Sequence, residues 1–142
     1  MTKIVQVTSM RKVLSLIACA AATWSSSALA EGSSLPYSRG GRLAFVEPVI
    51  AQYNQTGELF RIEGTCRSSC TMLLAIKNVC VDRNATLLFH SAPTPAATAR
   101  MASAYNASLH NFLMANHYLD TFEFHGISGR EVIQKFGYRA CK

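Results

Sequence analysis

Four cysteines after residue 65 constrain how this chain can fold: Cys66, Cys70, Cys80 and Cys141. In a small domain that is exported from the cytoplasm, an even number of cysteines predicts disulfide bonds. We therefore predict two disulfides, although the sequence does not choose among the three ways of pairing four cysteines. A bridge from Cys141 to the region 66–80 would close a long loop and hold the end of the domain against its middle.

The alternative for these cysteines is a zinc site with four thiolate ligands. Structural zinc sites usually take their cysteines from paired motifs of short spacing. Here three residues separate Cys66 from Cys70, but nine residues precede Cys80 and sixty more precede Cys141. The spacing therefore favours disulfides over zinc, and we predict neither a metal nor a cofactor.

The first thirty residues have the pattern of a cleavable signal peptide. Residues 13–24 form an apolar stretch, and Ala28-Leu29-Ala30 has the small-x-small pattern that signal peptidases cut. The stretch is shorter than the roughly 20 residues of a membrane-spanning helix. The sequence thus predicts cleavage after Ala30 and a periplasmic or secreted product without a transmembrane segment. The positive region of the signal peptide consists of Lys3, Arg11 and Lys12.

A second interpretation of the same region is a lipoprotein. Leu16-Ile17-Ala18-Cys19 resembles a lipoprotein cleavage box, which would place a lipid on Cys19. The apolar run before Cys19 would then be six residues long, shorter than the usual range of roughly 7–15. We therefore favour the lipid-free product and keep the lipoprotein as the alternative.

Removing the signal peptide changes the charge of the chain. The whole chain carries 14 basic and 8 acidic residues, a formal net charge of +6. Residues 1–30 hold three of the basic residues and no acidic one, so residues 31–142 carry 11 against 8, a net charge of +3. No basic cluster interleaved with aromatic residues remains in the sequence, which argues against nucleic-acid binding. Residues 31–142 suffice for one domain with one modest core.

Apolar periodicity in residues 31–142 predicts alternating helices and strands. The order of these elements predicts an α/β domain with a partly parallel sheet and flanking helices. The predicted strands are 59–63, 79–81 and 86–89, and a Pro/Ala-rich loop is predicted over 91–98. The predicted helices are 43–56, a short buried helix over 68–76, a longer amphipathic helix over 101–117, and a final helix over 129–136.

The candidate chemistry lies where the strand that ends at Gly64 is followed by a helix that starts near Ser68. Free amides and the helix dipole at a helix N-terminus favour developing negative charge. A strand–turn–helix junction is also a common way to present a nucleophilic serine. The alternative is that Ser68 or Ser69 caps the helix, and the motif by itself favours the cap.

Four motifs resemble, in order, the proteolytic subunit of Clp protease, a member of the crotonase-like superfamily. They are Ser38-Arg39-Gly40-Gly41, Gly64-x3-Ser68, an apolar strand that ends in Phe89-His90, and the stretch from Ile127 to Tyr138. The chain resembles still more closely small exported bacterial Clp-like proteins with a Cys-x-Ser-Ala-Cys-Thr core and a cysteine near the end. The resemblance covers about residues 38–141 and implies a small, shortened Clp/crotonase-like domain.

The resemblance implies a role for each matching residue. Ser68 matches the nucleophile and His90 the general base, while the backbone amides of Gly41 and Ser69 match the oxyanion hole. A serine hydroxyl needs a base nearby and the anionic intermediate needs fixed donors, so these residue types suit acyl transfer. The implied substrate is a peptide or a small acyl compound, and the family's helix equivalent to 101–117 implies a homo-oligomer. No phosphate-binding loop occurs in the sequence, so we predict no nucleotide requirement.

The third member of the family's triad is an aspartate, and Phe124 occupies its position. Glu123 and Asp120 are the nearest acidic residues and neither is in register, so Glu123 is the candidate for the third catalytic residue. Two classes of function follow. Ser68 and His90 favour a Clp-like serine hydrolase or peptidase, which is our first hypothesis. The missing aspartate favours a non-catalytic, disulfide-stabilised binding or structural protein that keeps the fold.

We predict export with cleavage after Ala30, because the Ala-x-Ala pattern directly follows the apolar stretch. The intact mass of the protein in a periplasmic extract should equal that of residues 31–142 less four hydrogens for two disulfides. A product that starts at Cys19 and carries the mass of a lipid would contradict the prediction.

Overall fold

The computed structural model describes residues 31–142, so the predicted signal peptide and Cys19 lie outside the described residues. The described chain is a mixed α/β domain with short strands. The strands are β1 (Gly32–Ser33), β2 (Phe60–Ile62), β3 (Thr65–Arg67), β4 (Val79–Val81), β5 (Thr86–Phe89) and β6 (His125–Ser128). The α-helices are α1 (Leu43–Thr56), α2 (Pro95–Ala102), α3 (Ala107–Ala115) and α4 (Gly129–Phe136). Two 3-10 helices cover Leu35–Tyr37 and Ser68–Ala75. Within residues 31–142, no helix has the length and apolar character needed to cross a membrane.

The strands form two small sheets that are partly parallel, as the order of elements predicted. β1, β2 and β4 pair in parallel, with β2 in the middle. In the second sheet β3 pairs with β5 in parallel, and β5 pairs with β6 in the antiparallel sense. The chain passes from β2 to β3 through Glu63 and Gly64, and Gly64 has a φ of +61°. Glycine adopts this left-handed conformation without a steric penalty, so the chain can leave one sheet and join the next within two residues.

The core is built around the 3-10 helix Ser68–Ala75. Six of its residues are buried, including the polar Ser69 and Thr71. The helix packs against α1, α2 and β5, and the core continues into the side chains of β2, β4 and α3. The residues that follow Ser68 therefore lie in the middle of the core, which ties the position of Ser68 to the packing of the whole domain.

Several predicted elements agree with the structure. α1 covers the predicted residues and ends at Gly57, whose φ is +73°. Pro48 lies inside α1. β4, β5 and α4 have the predicted bounds, and α4 begins at a capping hydrogen bond in which Ser128 Oγ accepts from the Glu131 amide.

The predicted helix over 101–117 is wrong, because the structure contains two helices separated by residues 103–106. Asn106 explains the break: its Oδ1 accepts from the Leu109 amide at 2.9 Å and its Nδ2 donates to the Phe136 carbonyl at 2.7 Å. The predicted loop over 91–98 contains the start of α2, where the Thr94 hydroxyl caps the helix. Self-association through this region stays a prediction, and the surface would involve two helices.

Two short strands, β3 before Ser68 and β6 before α4, were absent from the sequence prediction. Ser68 follows directly on strand β3, where the sequence predicted only a turn after Gly64. The predicted helix over 68–76 is present as a 3-10 helix. Strand β6 was not predicted, and it pairs with β5 from Thr86 to Phe89. β5 therefore has a neighbour on each side, with β3 on one and β6 on the other.

The cysteines form the predicted number of disulfides, and the structure selects one pairing. Cys66 is bonded to Cys70, and Cys80 is bonded to Cys141. The first bridge spans a sequence separation of 4 and the second a separation of 61. The second bridge holds the C-terminal segment beside β4, where Val81 and Ala140 form a parallel bridge.

We predict that the two disulfides stabilise the domain unequally, because the loop each one closes differs in length. Chain entropy gives about 2 kcal/mol for the Cys66–Cys70 loop and about 4 kcal/mol for the Cys80–Cys141 loop. Urea unfolding of the oxidised protein should show the larger loss of stability for C80A/C141A and the smaller loss for C66A/C70A. Thiol titration of the unfolded, unreduced protein should find no free thiol. Four free thiols with one bound zinc, or the reverse order of stabilities, would contradict the pairing and its energetic account.

Candidate functional site

Ser68 occupies an unusual backbone conformation at the junction of β3 and the 3-10 helix. Its φ is +54°, and within residues 31–142 His117 is the only other non-glycine residue with a positive φ. This left-handed conformation costs a residue with a side chain about 1–2 kcal/mol, so the surroundings must hold it in place. The result is a sharp turn that presents Ser68 at the end of a strand.

The helix-cap alternative finds no support in the described residues. The residue at the N-cap is Arg67, and its side chain makes no capping hydrogen bond. Ser69 Oγ is buried and has no hydrogen-bond partner among residues 31–142. The serines at this junction therefore do not act as a side-chain cap of the helix, and their hydroxyl groups need another explanation.

The backbone around Ser68 is held by a covalent bond and by a chain of hydrogen bonds. The Cys66–Cys70 disulfide closes the turn, with 5.3 Å between the two Cα atoms. Thr71 Oγ1 donates to the Ser68 carbonyl at 2.7 Å and accepts from the Tyr105 hydroxyl at 2.7 Å. Tyr105 is buried and burial raises the pKa of its hydroxyl, so this hydroxyl stays protonated as the donor. These contacts connect Ser68 to the segment between α2 and α3.

The glycine pair at residues 40 and 41 lies next to Ser68. Gly40 has a φ of +72°, and a Cβ atom at this position would lie 2.7 Å from Ser68 Cβ. Only glycine fits here, because both the conformation and the close approach exclude a side chain. The Arg67 amide donates to the Ser38 carbonyl at 3.2 Å, which fixes the loop against β3. The structure thus brings the motif Ser38-Arg39-Gly40-Gly41 together with the motif Gly64-x3-Ser68.

Ser68 and Gly41 line the same pocket, which has a volume of about 570 Å³. The start of α1 forms one wall, and α2 with residues 92–94 forms the other. Most of the lining is apolar, and the charged lining residues are Arg42 and Arg100. Arg100 forms an ion pair with Glu47, which joins α2 to α1 beside the pocket. The pocket is of a size that small ligands or single side chains can occupy.

His90 follows β5 at the edge of the sheet where Ser68 follows β3. Arg67, the last residue of β3, is paired with Leu88 in the parallel register, so Ser68 and His90 follow the C-terminal ends of neighbouring strands. His90 does not line the Ser68 pocket, and no hydrogen bond joins the two side chains. Both ring nitrogens of His90 are buried and lack a hydrogen-bond partner among the described residues. Burial lowers the pKa of His90 below its ordinary value of 6.5.

Phe124 is the residue that contacts the His90 ring. The ring centroids lie 4.6 Å apart, and the antiparallel register of β5 and β6 places Phe124 opposite His90. Glu123 is exposed and does not hydrogen-bond to His90. Asp120 accepts from His117 Nδ1 at 2.7 Å. The residue beside the His90 ring is therefore aromatic, and neither Glu123 nor Asp120 hydrogen-bonds to it.

Sequence reasoning named Gly40 only as part of a motif and gave it no role, and it missed the contributions of Thr71 and Tyr105 to this site. The Gly-Gly pair was a signal for Gly40, since one glycine of such a pair often serves close packing. Thr71 lies three residues after Ser68, a spacing that allows its hydroxyl to reach the Ser68 carbonyl. Nothing local pointed to Tyr105, because its contact with Thr71 depends on the break between α2 and α3.

Residues 31–142 contain no group of three or more His, Cys, Asp or Glu side chains arranged to hold a metal ion. Comparison of the chain with protein-family models, with curated proteins and with solved structures gave no match. The interpretation of the site therefore depends on its own geometry and chemistry.

We predict that Phe124 keeps water from the His90 ring and so contributes to its low pKa. NMR titration should give His90 a pKa below 6.5. Phe124→Ala should hydrate the ring and move the pKa back towards 6.5, since desolvation is the cause of the shift. Phe122→Ala is the matched control, because Phe122 is a neighbouring exposed aromatic residue. A wild-type pKa at or above 6.5, or equal shifts in the two variants, would show that Phe124 has no such role.

Proposed function

We propose that this protein is an exported, Clp-like serine hydrolase or peptidase in which Ser68 is the nucleophile and His90 the general base. The observation that carries the proposal is the left-handed conformation of Ser68 at a strand–turn–helix junction. A conformation that costs free energy persists where the surrounding structure imposes it, and such positions cluster at active sites. Ser68 lines a pocket, so a ligand in that pocket can reach its side chain.

The proposed reaction is acyl transfer to the Ser68 hydroxyl. His90 takes the hydroxyl proton while the oxygen attacks the carbonyl carbon of a peptide or small acyl substrate. The low pKa of His90 keeps its ring neutral, and so able to accept a proton, at pH values where an ordinary histidine is charged. His90 then gives the proton to the leaving group, and water releases the acyl group in a second step.

The anionic intermediate needs hydrogen-bond donors, and the proposal assigns them to the Gly41 and Ser69 amides. Ser69 is the second residue of its 3-10 helix, where a backbone N–H has no partner within the helix. Gly41 has a φ of +133°, and the nearest atom to the place of a Cβ is Phe45 Cδ2 at 4.0 Å, so a ligand can approach its backbone closely. Both donors are backbone groups, and losing one donor of this kind typically costs about 10²–10³ in rate.

The buried ring of His90 requires movement before the reaction. Its two nitrogens are covered, so the ring must turn or Phe124 must move for a nitrogen to reach the Ser68 hydroxyl. Phe124 is 49 % exposed, which leaves it room to swing towards solvent. Substrate binding in the Ser68 pocket is the event that we propose drives this change.

A second candidate function is ligand binding without catalysis. The observation that favours it is the contact of the Phe124 ring with His90. An enzyme whose triad histidine lacks its orienting acid loses a factor of about 10⁴ in kcat. Here an aromatic ring lies beside His90, and the exposed Glu123 makes no hydrogen bond to it. In this candidate the same pocket binds a peptide or acyl group, and Ser68 shapes the pocket without reacting.

The proposed location is the periplasm or the exterior of the cell. Two disulfides fit an oxidising compartment, because thiols are kept reduced in the cytosol. The lipoprotein alternative through Cys19 would place the same domain at a membrane surface.

We predict that a fluorophosphonate probe labels the oxidised protein at Ser68, because an activated serine attacks the phosphorus atom of such probes. Peptide mapping identifies the labelled residue. Ser68→Ala should abolish labelling, and His90→Ala should slow it strongly, since the hydroxyl then has no base. Ser108→Ala is the control, because Ser108 is an exposed serine of α3 that does not line the Ser68 pocket.

Labelling at Ser69 and not at Ser68 would show that Ser69 is the nucleophile. The absence of labelling in the folded, oxidised protein would reject the hydrolase and favour the non-catalytic candidate.

A further inference from the structure

A second pocket lies between α2, α3 and the loop 119–122, and we call it the α2–α3 pocket. Its volume is about 570 Å³. Residues 92–94 line both this pocket and the one at Ser68, so they form the wall between the two. The volume falls in the range of roughly 300–1,000 Å³ that is typical of small-molecule sites.

The lining of the α2–α3 pocket is apolar and incompletely covered. On the α2 side, Ala99 and Ala102 are too small to fill the space. Leu119 is buried, while Met114 is 48 % exposed and Phe122 is 67 % exposed. Large apolar side chains that stay exposed around a concave surface favour the binding of an apolar group, because the group releases water from that surface.

The ionisable groups in the α2–α3 pocket define what the polar end of a ligand should be. His110 Nδ1 lies 3.0 Å from the Ala102 carbonyl, which can only accept, so Nδ1 carries the hydrogen. In the neutral ring Nε2 is then an acceptor. Asp120 adds a carboxylate, one oxygen of which accepts from His117 Nδ1. The described lining contains no lysine or arginine, so the polar groups favour a donor with positive charge.

We propose that the α2–α3 pocket is a binding site for a small apolar amine. The hydrocarbon part occupies the space beside Ala99 and Ala102, and the ammonium group lies near Asp120. The site does not depend on the reaction proposed for Ser68, because none of the residues assigned to that reaction lines it.

The test compares three ligands that share one hydrocarbon chain and differ in the head group: decylamine, decanol and decanoate. Each is titrated calorimetrically, below its micellar concentration, into the oxidised protein and into variants with unchanged circular dichroism. Decylamine should bind more tightly than decanol, and decanoate should bind most weakly. Asp120→Asn should remove the advantage of the amine over the alcohol, because the advantage comes from the carboxylate.

Two tryptophan substitutions in α2 locate the site. Ala99→Trp places a large ring in the α2–α3 pocket and should weaken decylamine binding at least about tenfold, the effect of losing most of an apolar contact surface. Ala96→Trp is the matched control, since Ala96 is an exposed alanine of the same helix that does not line the pocket.

Three results would overturn the proposal. They are decanoate binding as tightly as decylamine, equal effects of the two tryptophan substitutions, and no binding of decylamine to the wild-type protein. Fluorophosphonate labelling of Ser68 is read separately, so the failure of either proposal leaves the other intact.

Discussion

The Cys66–Cys70 disulfide closes the turn on which the candidate site depends. It joins strand β3 to the 3-10 helix that runs through the core, and Arg67, Ser68 and Ser69 lie inside the closed loop. Both cysteines are fully buried. A bridge across so few residues leaves the backbone little freedom, and Ser68 takes the left-handed conformation that the turn requires. Gly40 packs against this turn from outside, and Thr71 holds the Ser68 carbonyl from inside.

The rest of the domain positions the partners of this turn. Strand β5 lies between β3 and β6, so His90 and Ser68 follow neighbouring strands, and the ring of Phe124 contacts that of His90. The Cys80–Cys141 bridge acts elsewhere, where it fastens the C-terminal segment to β4. The two disulfides therefore differ: the first shapes the site, and the second closes the longer loop and so restricts the unfolded chain more. The segment after His90 then separates the Ser68 pocket from the α2–α3 pocket.

Local signals allowed part of this arrangement to be predicted. Local sequence signals were enough for α1, α4, β4 and β5, whose bounds agree with the sequence analysis. These signals are the glycine after α1, the Ser128 cap of α4 and the apolar runs of the two strands. The break between α2 and α3 was missed because apolar residues keep helical spacing across it, while the bonds of Asn106 that fix it reach distant residues. Strands β3 and β6 were not predicted, because they have only three and four residues and are recognisable as strands only from their pairing with β5. The contact of Phe124 with His90 depends on the β5–β6 register, so only a family resemblance pointed to that position.

We propose that the closed turn makes Ser68 reactive. The direct test is the second-order rate constant for fluorophosphonate reaction at Ser68 in C66A/C70A and in C80A/C141A, both measured where circular dichroism shows a folded protein. We expect a loss on the order of 10²-fold in C66A/C70A, the cost of misplacing a reacting group by about 1 Å, and little change in C80A/C141A. Equal rate constants in the two variants would show that the Cys66–Cys70 disulfide does not make Ser68 reactive.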